Sequence, residues 1–522
     1  MFLLEIIYLT SAALLAAYGL NSLLHTWLFA RRGKERPTYP AIDAADLSGG
    51  ELPYVTVQLP VYNERYVVGR LITAVMNLSW PAGRLQVQIL DDSTDETTPI
   101  IAGVLSQFEG SNIQVEGVQV EHIRRPKREN YKAGALQAGL ETAVGQYIAI
   151  FDSDFVPPPD FLVRTVPLFE RREGQPPVGC VQARWGHMNA ETSMLTSAQA
   201  LGVDGHFVVE QTTRDRVGAF LNFNGTAGIW DRSCLDAIGG WRGDTLTEDL
   251  DLSYRAQLAG WRVVYQPEVV VPAELPVQVM GFKRQQFRWA KGSIQTAKKL
   301  LGRLWRSENP LWRKALGTLH LTNYAIHPLM VLNLLLTLPM ALSKSPWLRL
   351  APLFMLSAVG PPLMYWVAMK ETAEARPLKR RLGRLLMLIV LGMGLSVNNT
   401  RAVIEAVLGI KSAFRRTPKF AVMAKESAWY GSSYVLTGDW MIWWELLLML
   451  YAAFLIVWSL AHMMWWLVGW LALYAAGYGC MVCLSLVQSR RAAAQRPPQS
   501  GPRTGRLYGR PARSKAGIDV GG

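Results

Sequence analysis

Tyr147-Ile148-Ala149-Ile150-Phe151-Asp152-Ser153-Asp154 is the stretch on which the reading of this chain turns. Five apolar residues in a short run, closed by polar residues and then by Pro157-Pro158-Pro159, read as a strand buried on both faces. Two residues apart on an extended chain point the same way, so the Asp152 and Asp154 carboxylates can reach one hard divalent cation. Such an ion, Mg2+ or Mn2+, keeps open positions for diphosphate oxygens. The plainer reading is a charged turn. Lys132, in the turn Tyr131-Lys132-Ala133-Gly134 just upstream, favours the anion-handling one.

Two similar runs precede it. Tyr54 to Pro60 leads into Val61-Tyr62-Asn63-Glu64, and Val87 to Leu90 leads into Asp91-Asp92-Ser93-Thr94-Asp95. Three buried strands, each releasing polar groups at its carboxyl end, predict an open α/β sheet with a nucleotide in the crevice beyond those ends. Tyr62 can stack on a base, and Glu64, Asp91 and Asp92 can accept hydrogen bonds from base or ribose. Downstream, Thr247-Glu248-Asp249 opens an amphipathic segment and reads locally as a helix cap. The same carboxylates can serve as a general base toward an attacking hydroxyl, with Asp249 the candidate. Gln285-Gln286-Phe287-Arg288-Trp289 lies on a basic amphipathic helix suited to a membrane interface, and it also offers Gln285, Arg288 and the Trp289 indole to a polyhydroxylated ligand.

The rest of the chain is too apolar to be wholly water-soluble: 522 residues carry 50% hydrophobic and 18% charged side chains. Phe2 to Ala30 reads as an anchor with its N-terminus outside, because Arg31, Arg32, Lys34 and Arg36 follow it. Residues 40–300 lack an apolar stretch of about 18 residues and read as a cytoplasmic domain. Leu316 to Leu342, Pro346 to Met369 and a pair within Met441 to Val487 are long enough to cross. Residues 385–410 read as a re-entrant or interfacial segment, giving five crossings, or six if that segment crosses. The excess of 54 Lys and Arg over 40 Asp and Glu, a net charge of +14, gathers in the predicted cytoplasmic connections and in a tail, 488–522, that reads as basic and disordered. That placement marks topology and a grip on lipid headgroups rather than nucleic acid. Four scattered cysteines predict a reduced compartment, not a disulfide framework.

The order of these motifs resembles the family 2 membrane glycosyltransferases of the cellulose synthase superfamily, over roughly residues 50 to 425. Leu90 to Asp95, Asn130 to Leu136, Val181 to Trp185, Phe223 to Gly228 and Gln285 to Trp289 are most similar to the plant cellulose-synthase-like mannan and glucan synthases. The resemblance implies a Rossmann-like GT-A domain joined to transmembrane helices, and transfer of a hexose from UDP-glucose or GDP-mannose to a growing β-linked polysaccharide with inversion. It assigns Tyr62, Glu64, Asp91, Asp92, Lys132 and Asp152 to the donor, Asp154 with Asp152 to the metal, and Asp249 to the base. Asn224, Glu248, Gln285, Arg288 and Trp289 fall at the acceptor end. Within 411–425, Phe414, Thr417 and Lys419 match a gating loop, with Arg416 standing where the family pattern has Val. A processive, exporting synthase in the plasma (inner) membrane is the first expectation. Single transfer to a lipid headgroup is the second, and a transporter or scaffold with an inactive nucleotide-binding domain is the third.

Overall fold

The structure, a computed structural model, describes residues 2–33, 35, 52–109, 117–170, 173–343, 345, 347, 357–372, 377–422, 429–436 and 438–495. The central domain is built on seven strands: β1 (Val55–Val61), β2 (Leu85–Asp91), β3 (Gln119–Ile123), β4 (Tyr147–Ile150), β5 (Val178–His187), β6 (Gly228–Asp231) and β7 (Arg262–Ala273). They lie in the order β3-β2-β1-β4-β6-β5-β7, with β6 antiparallel to both its neighbours and the remaining pairs parallel. The expected GT-A-like α/β fold is therefore present. The chain runs outward from β1 to β2 and β3, then returns to place β4 on the other side of β1. That reversal opens a crevice beyond the carboxyl ends of β1 and β4.

Period-two alternation builds two cores on this sheet. Ala149 and Phe151 pack with Val57, Leu59, Val87 and Ile89 on one face, while Ile148 and Ile150 pack with Leu136, Leu140 and Trp230 on the other. The second face also carries a buried polar ladder, in which Thr56 donates to Gln86 at 2.7 Å and Gln58 to Gln88 at 3.0 Å. Helix Tyr131–Thr142 lies over that ladder through Gly139; a Cβ there would stand 2.5 Å from Gln58 Nε2. The close approach of this helix sets Lys132 at the crevice.

Four helices among the described residues are long and apolar enough to cross a membrane: Phe2–Arg32, Asn323–Leu342, Ile442–Ala461 and Trp465–Gln495. The pair Leu378–Gly394 and Ser396–Val407, bent by 43°, supplies a fifth if it is one broken span. A multi-pass membrane protein results.

Two boundaries differ from the sequence expectation, and one stretch is only partly described. The second crossing does not begin at Leu316, because a separate helix, Leu311–Leu321, ends first. Leu321 packs with Phe220, Tyr254 and Leu304, and His320 Nδ1 lies 2.8 Å from Tyr254 Oη, so side-chain fit to the α/β domain claims this apolar turn. The tail does not begin at 488; the last helix continues to Gln495, and the rest of the expected tail, 496–522, falls outside the described residues. The stretch 346–369 is described mainly from Ser357 onward, as a short turn and helix Gly360–Glu371.

The α/β domain is tied to the spans by helix Val279–Arg306. On it Lys283 reaches Glu445 of helix Ile442–Ala461 at 2.6 Å, with side chains 4% and 0% exposed. Removing one partner of such a pair strands a buried charge at a cost of about 3–5 kcal/mol, whereas replacing both with apolar residues costs little. Glu445→Leu is therefore expected to lower the thermal unfolding midpoint in detergent, and adding Lys283→Met to restore most of it.

Candidate active site

One cavity opens at the carboxyl ends of β1 and β4 and gathers nearly every residue singled out from the sequence. Tyr62, Glu64, Asp92, Lys132, Asp152, Asp154, Asn224, Glu248, Asp249, Gln285, Arg288, Trp289, Phe414, Thr417 and Lys419 all line it. Asp91 does not. Its carboxylate is buried beneath the strand end, where it accepts from Ser93 N at 2.8 Å and Thr98 Oγ1 at 2.6 Å and meets His122 Nε2 at 3.1 Å. Although burial opposes ionisation, these hydrogen bonds hold its pKa well below the usual carboxylate range. The side chain reaching the cavity is Asp92.

Asp92 is gripped by Arg125 through two bonds, 2.5 Å to Oδ2 and 3.1 Å to Oδ1. Arg125 also donates to the carbonyls of Glu129 and Tyr131, holding a turn in which Asn130 and Tyr131 adopt positive φ of 55° and 49°. That uncommon geometry in two non-glycine residues presents Lys132 at the first turn of its helix. Arg128 from the same turn lies over the Tyr62 ring, its Cζ 3.4 Å from the centroid. Neither arginine was singled out from the sequence. The available signal was the basic run Arg124 to Arg128 between β3 and the Lys132 turn.

Lys132 Nζ donates to Asp152 Oδ1 and, at 2.9 Å, to the Gly225 carbonyl. A Cβ on Gly225, whose φ is +84°, would be 3.0 Å from Asp249 Oδ2 and 3.5 Å from Lys132 Nζ, so this close approach of base candidate and lysine requires glycine. Glu248 and Asp249 begin helix Glu248–Leu258. Thr247 stands at the cap position, yet its side chain faces Thr296 Oγ1 at 3.3 Å instead of capping. Gly292 lets helix Val279–Arg306 press on Thr247, where a Cβ would be 2.5 Å from its Cγ2. That contact hangs Gln285, Arg288 and Trp289 over the two carboxylates.

A helix N-terminus ordinarily favours ionised carboxylates. Here burial outweighs it. Burial first, and the Glu248 carboxylate second, push Asp249 up to about 7 against the Leu250 N–H bond and Lys132. Glu248 is raised by burial as well, against the pull of Lys132. At the other end of the cavity burial lifts Glu64 to about 8, with Arg416 opposing it from 3.2 Å. Arg416, which departs from the family pattern, also lies 4.1 Å from the Tyr434 ring centroid, so its charge is accommodated on both sides.

The loop after helix Ser396–Val407 closes one wall. Phe414 stacks on Tyr131 at 5.4 Å and takes the Arg288 guanidinium at 4.6 Å. Lys419 Nζ reaches Asp154 Oδ2 at 2.6 Å, and Glu274 accepts the Phe420 and Ala421 N–H groups at 2.9 Å each. Asp152 and Asp154 lie on the turn beyond β4, not on the strand, so shared pleat direction is not what brings them to one cavity. Each carboxylate faces a lysine. Among the described residues no group of three or more His, Cys, Asp or Glu is placed to hold a metal. Asp152 and Asp154 are of the donor type that Mg2+ or Mn2+ takes, and one or two protein carboxylates with the remaining positions filled by a ligand's oxygens would suit either ion.

Residues 53–292, which hold the α/β domain, match the model of glycosyltransferase-like family 2. Among curated proteins the chain is 41% identical over 276 residues to glucomannan 4-beta-mannosyltransferase 1 of Oryza sativa subsp. japonica, covering 52% of each chain. It is 39% identical over 296 residues to glucomannan 4-beta-mannosyltransferase 7 of Arabidopsis thaliana, covering 56% of this chain and 52% of that one. The chain thus spans about half the length of the curated relatives it matches. A solved mannosyltransferase from Pyrobaculum calidifontis, PcManGT in complex with GDP-Man and Mn2+, overlaps 78% of this chain and all of that one at 18% identity and a TM-score of 0.49. At that similarity it bears on neither substrate nor metal.

Proposed function

We propose that this protein is an inverting hexosyltransferase that moves a sugar from a nucleotide-sugar, GDP-mannose before UDP-glucose, to a growing β-linked polysaccharide. The observation that carries the reading is one cavity holding Asp249, raised to about 7, between donor-type groups (Asp92, Lys132, Asp152, Asp154) and acceptor-type groups (Gln285, Arg288, Trp289). Mannose comes first because the curated relatives named above are mannosyltransferases. We place the domain on the cytoplasmic side of the plasma (inner) membrane, where the basic connections fall, with processive extension and export through the spans.

In this mechanism the acceptor hydroxyl attacks the anomeric carbon as the bond to the diphosphate oxygen breaks, and that oxygen keeps the electron pair. Asp249 takes the hydroxyl proton. Lys132 holds positive charge beside Asp152, where the diphosphate would lie, and Arg128 with Tyr62 provides a flat cationic surface for the base. A divalent cation held by Asp152 and Asp154 would neutralise charge on the departing nucleoside diphosphate. The Phe414–Lys419 loop covers the donor, and its Lys419 must leave Asp154 for an ion to bind there.

Purified protein given GDP-mannose or UDP-glucose with Mg2+ or Mn2+ is expected to release nucleoside diphosphate without added lipid, and linkage and length analysis should show a β-linked polymer. Strict dependence on a lipid acceptor would overturn the polymer reading in favour of headgroup transfer. The base also predicts a pH profile. Its carboxyl keeps its proton up to about pH 7, so log kcat/KM should rise with unit slope below that point and level above it. Removing the neighbouring negative charge with Glu248→Gln should move the midpoint to lower pH, because a like charge raises a carboxyl pKa.

A further inference from the structure

Helix Met194–Asp204 does not run straight into helix Thr212–Val217; between them Gly205–Gln211 forms a π-helical turn, a rare widening that recurs at functional sites. From this turn His206 and Gln211 reach Asn224, which lines the cavity next to Gly225 and the Asp249 carboxylate. Gln211 Nε2 donates to Asn224 Oδ1 at 3.0 Å, and Asn224 Nδ2 meets His206 Nε2 at 3.1 Å. The other ring nitrogen, Nδ1, stands 3.0 Å from Glu210 Oε2, and Glu210 Oε1 accepts from Arg214 at 2.7 and 3.1 Å. A carboxylate only accepts, so Nδ1 carries the proton and Nε2 accepts from the Asn224 amide. Every group in this chain has one role, and both ends of the Asn224 amide are held.

We propose that His206 is a positioning residue for the acceptor: with Gln211 it locks the Asn224 amide, leaving its second N–H for an acceptor sugar hydroxyl beside Asp249. This rests on the reading of the cavity as a glycosyltransferase site. An acceptor held less firmly lets water compete for the anomeric carbon, so the affected quantity is the split between hexose found in glycan and hexose released free.

The experiment measures that split, and the KM for GDP-mannose, in the full-length protein in detergent. His206→Phe keeps a ring of similar bulk but no acceptor atom and is expected to raise the free-to-glycan ratio about tenfold, the scale of one hydrogen bond, with donor KM within about twofold. His206→Gln, which returns an accepting oxygen, should restore most of the transfer. Because His206 acts through Asn224, the double variant Asn224→Ala/His206→Phe should match Asn224→Ala alone. A wild-type ratio in His206→Phe, an additive double variant, or an equal rise in donor KM would each overturn the role. Wild-type protein that makes no glycan from either donor would overturn the functional reading, and this inference with it.

Discussion

Asp249→Asn is expected to lower the transfer rate by about 10²–10⁴-fold, the usual contribution of a positioned general base, while nucleotide-sugar binding stays within about twofold. The substitution is nearly isosteric, and an amide oxygen can keep the 2.8 Å bond from Leu250 N. What it loses is the ability to take a proton from the acceptor hydroxyl. Glu248 stands beside it with its own raised pKa, so Glu248→Gln is the necessary comparison. Release of nucleoside diphosphate measures the rate, and equilibrium titration with the donor measures binding. If Asp249→Asn keeps wild-type turnover and Glu248→Gln loses it, the base has been assigned to the wrong carboxylate.

Asp154→Asn is expected to weaken divalent-ion binding by at least about 10–100-fold, the range for losing a group that only supports a ligand, and turnover should fall with it. The binding readout is independent of activity: Mn2+ titrated against purified protein with and without nucleoside diphosphate. Lys419 now occupies that carboxylate at 2.6 Å, so Lys419→Met should strengthen Mn2+ binding through the loss of a competing cation. Unchanged Mn2+ affinity in both variants would remove Asp154 as a ligand.

How much of this site could be read from the chain depended on the distance over which each property is decided. Runs such as Tyr147 to Phe151 declare themselves because a strand buried on both faces must be apolar in either phase. Asp91 and Asp92 illustrate the limit. Adjacent residues at a strand end face opposite ways, and register and turn geometry send Asp91 under the sheet to Ser93, Thr98 and His122 while Asp92, gripped by Arg125, lines the cavity. Arg128 is of the same kind, since its stacking on Tyr62 joins segments separated by two strands. Leu316 to Leu321 has the apolarity of a membrane segment, but only its packing on Phe220 and Tyr254 shows which solvent it avoids.

The sequence by itself determined the α/β class of the central domain, the membrane character of its flanks and the residue types gathered at the cavity. Local periodicity, apolar run length and strand-end chemistry are properties of neighbouring residues and survive without coordinates. Tertiary structure alone decided which carboxylate faces the cavity, that Lys419 sits on Asp154, that burial lifts Asp249 to about 7, and that a π-turn steers His206 onto Asn224. Each of those depends on the field and contacts of groups distant in the chain, which only the packing of the whole fold brings together.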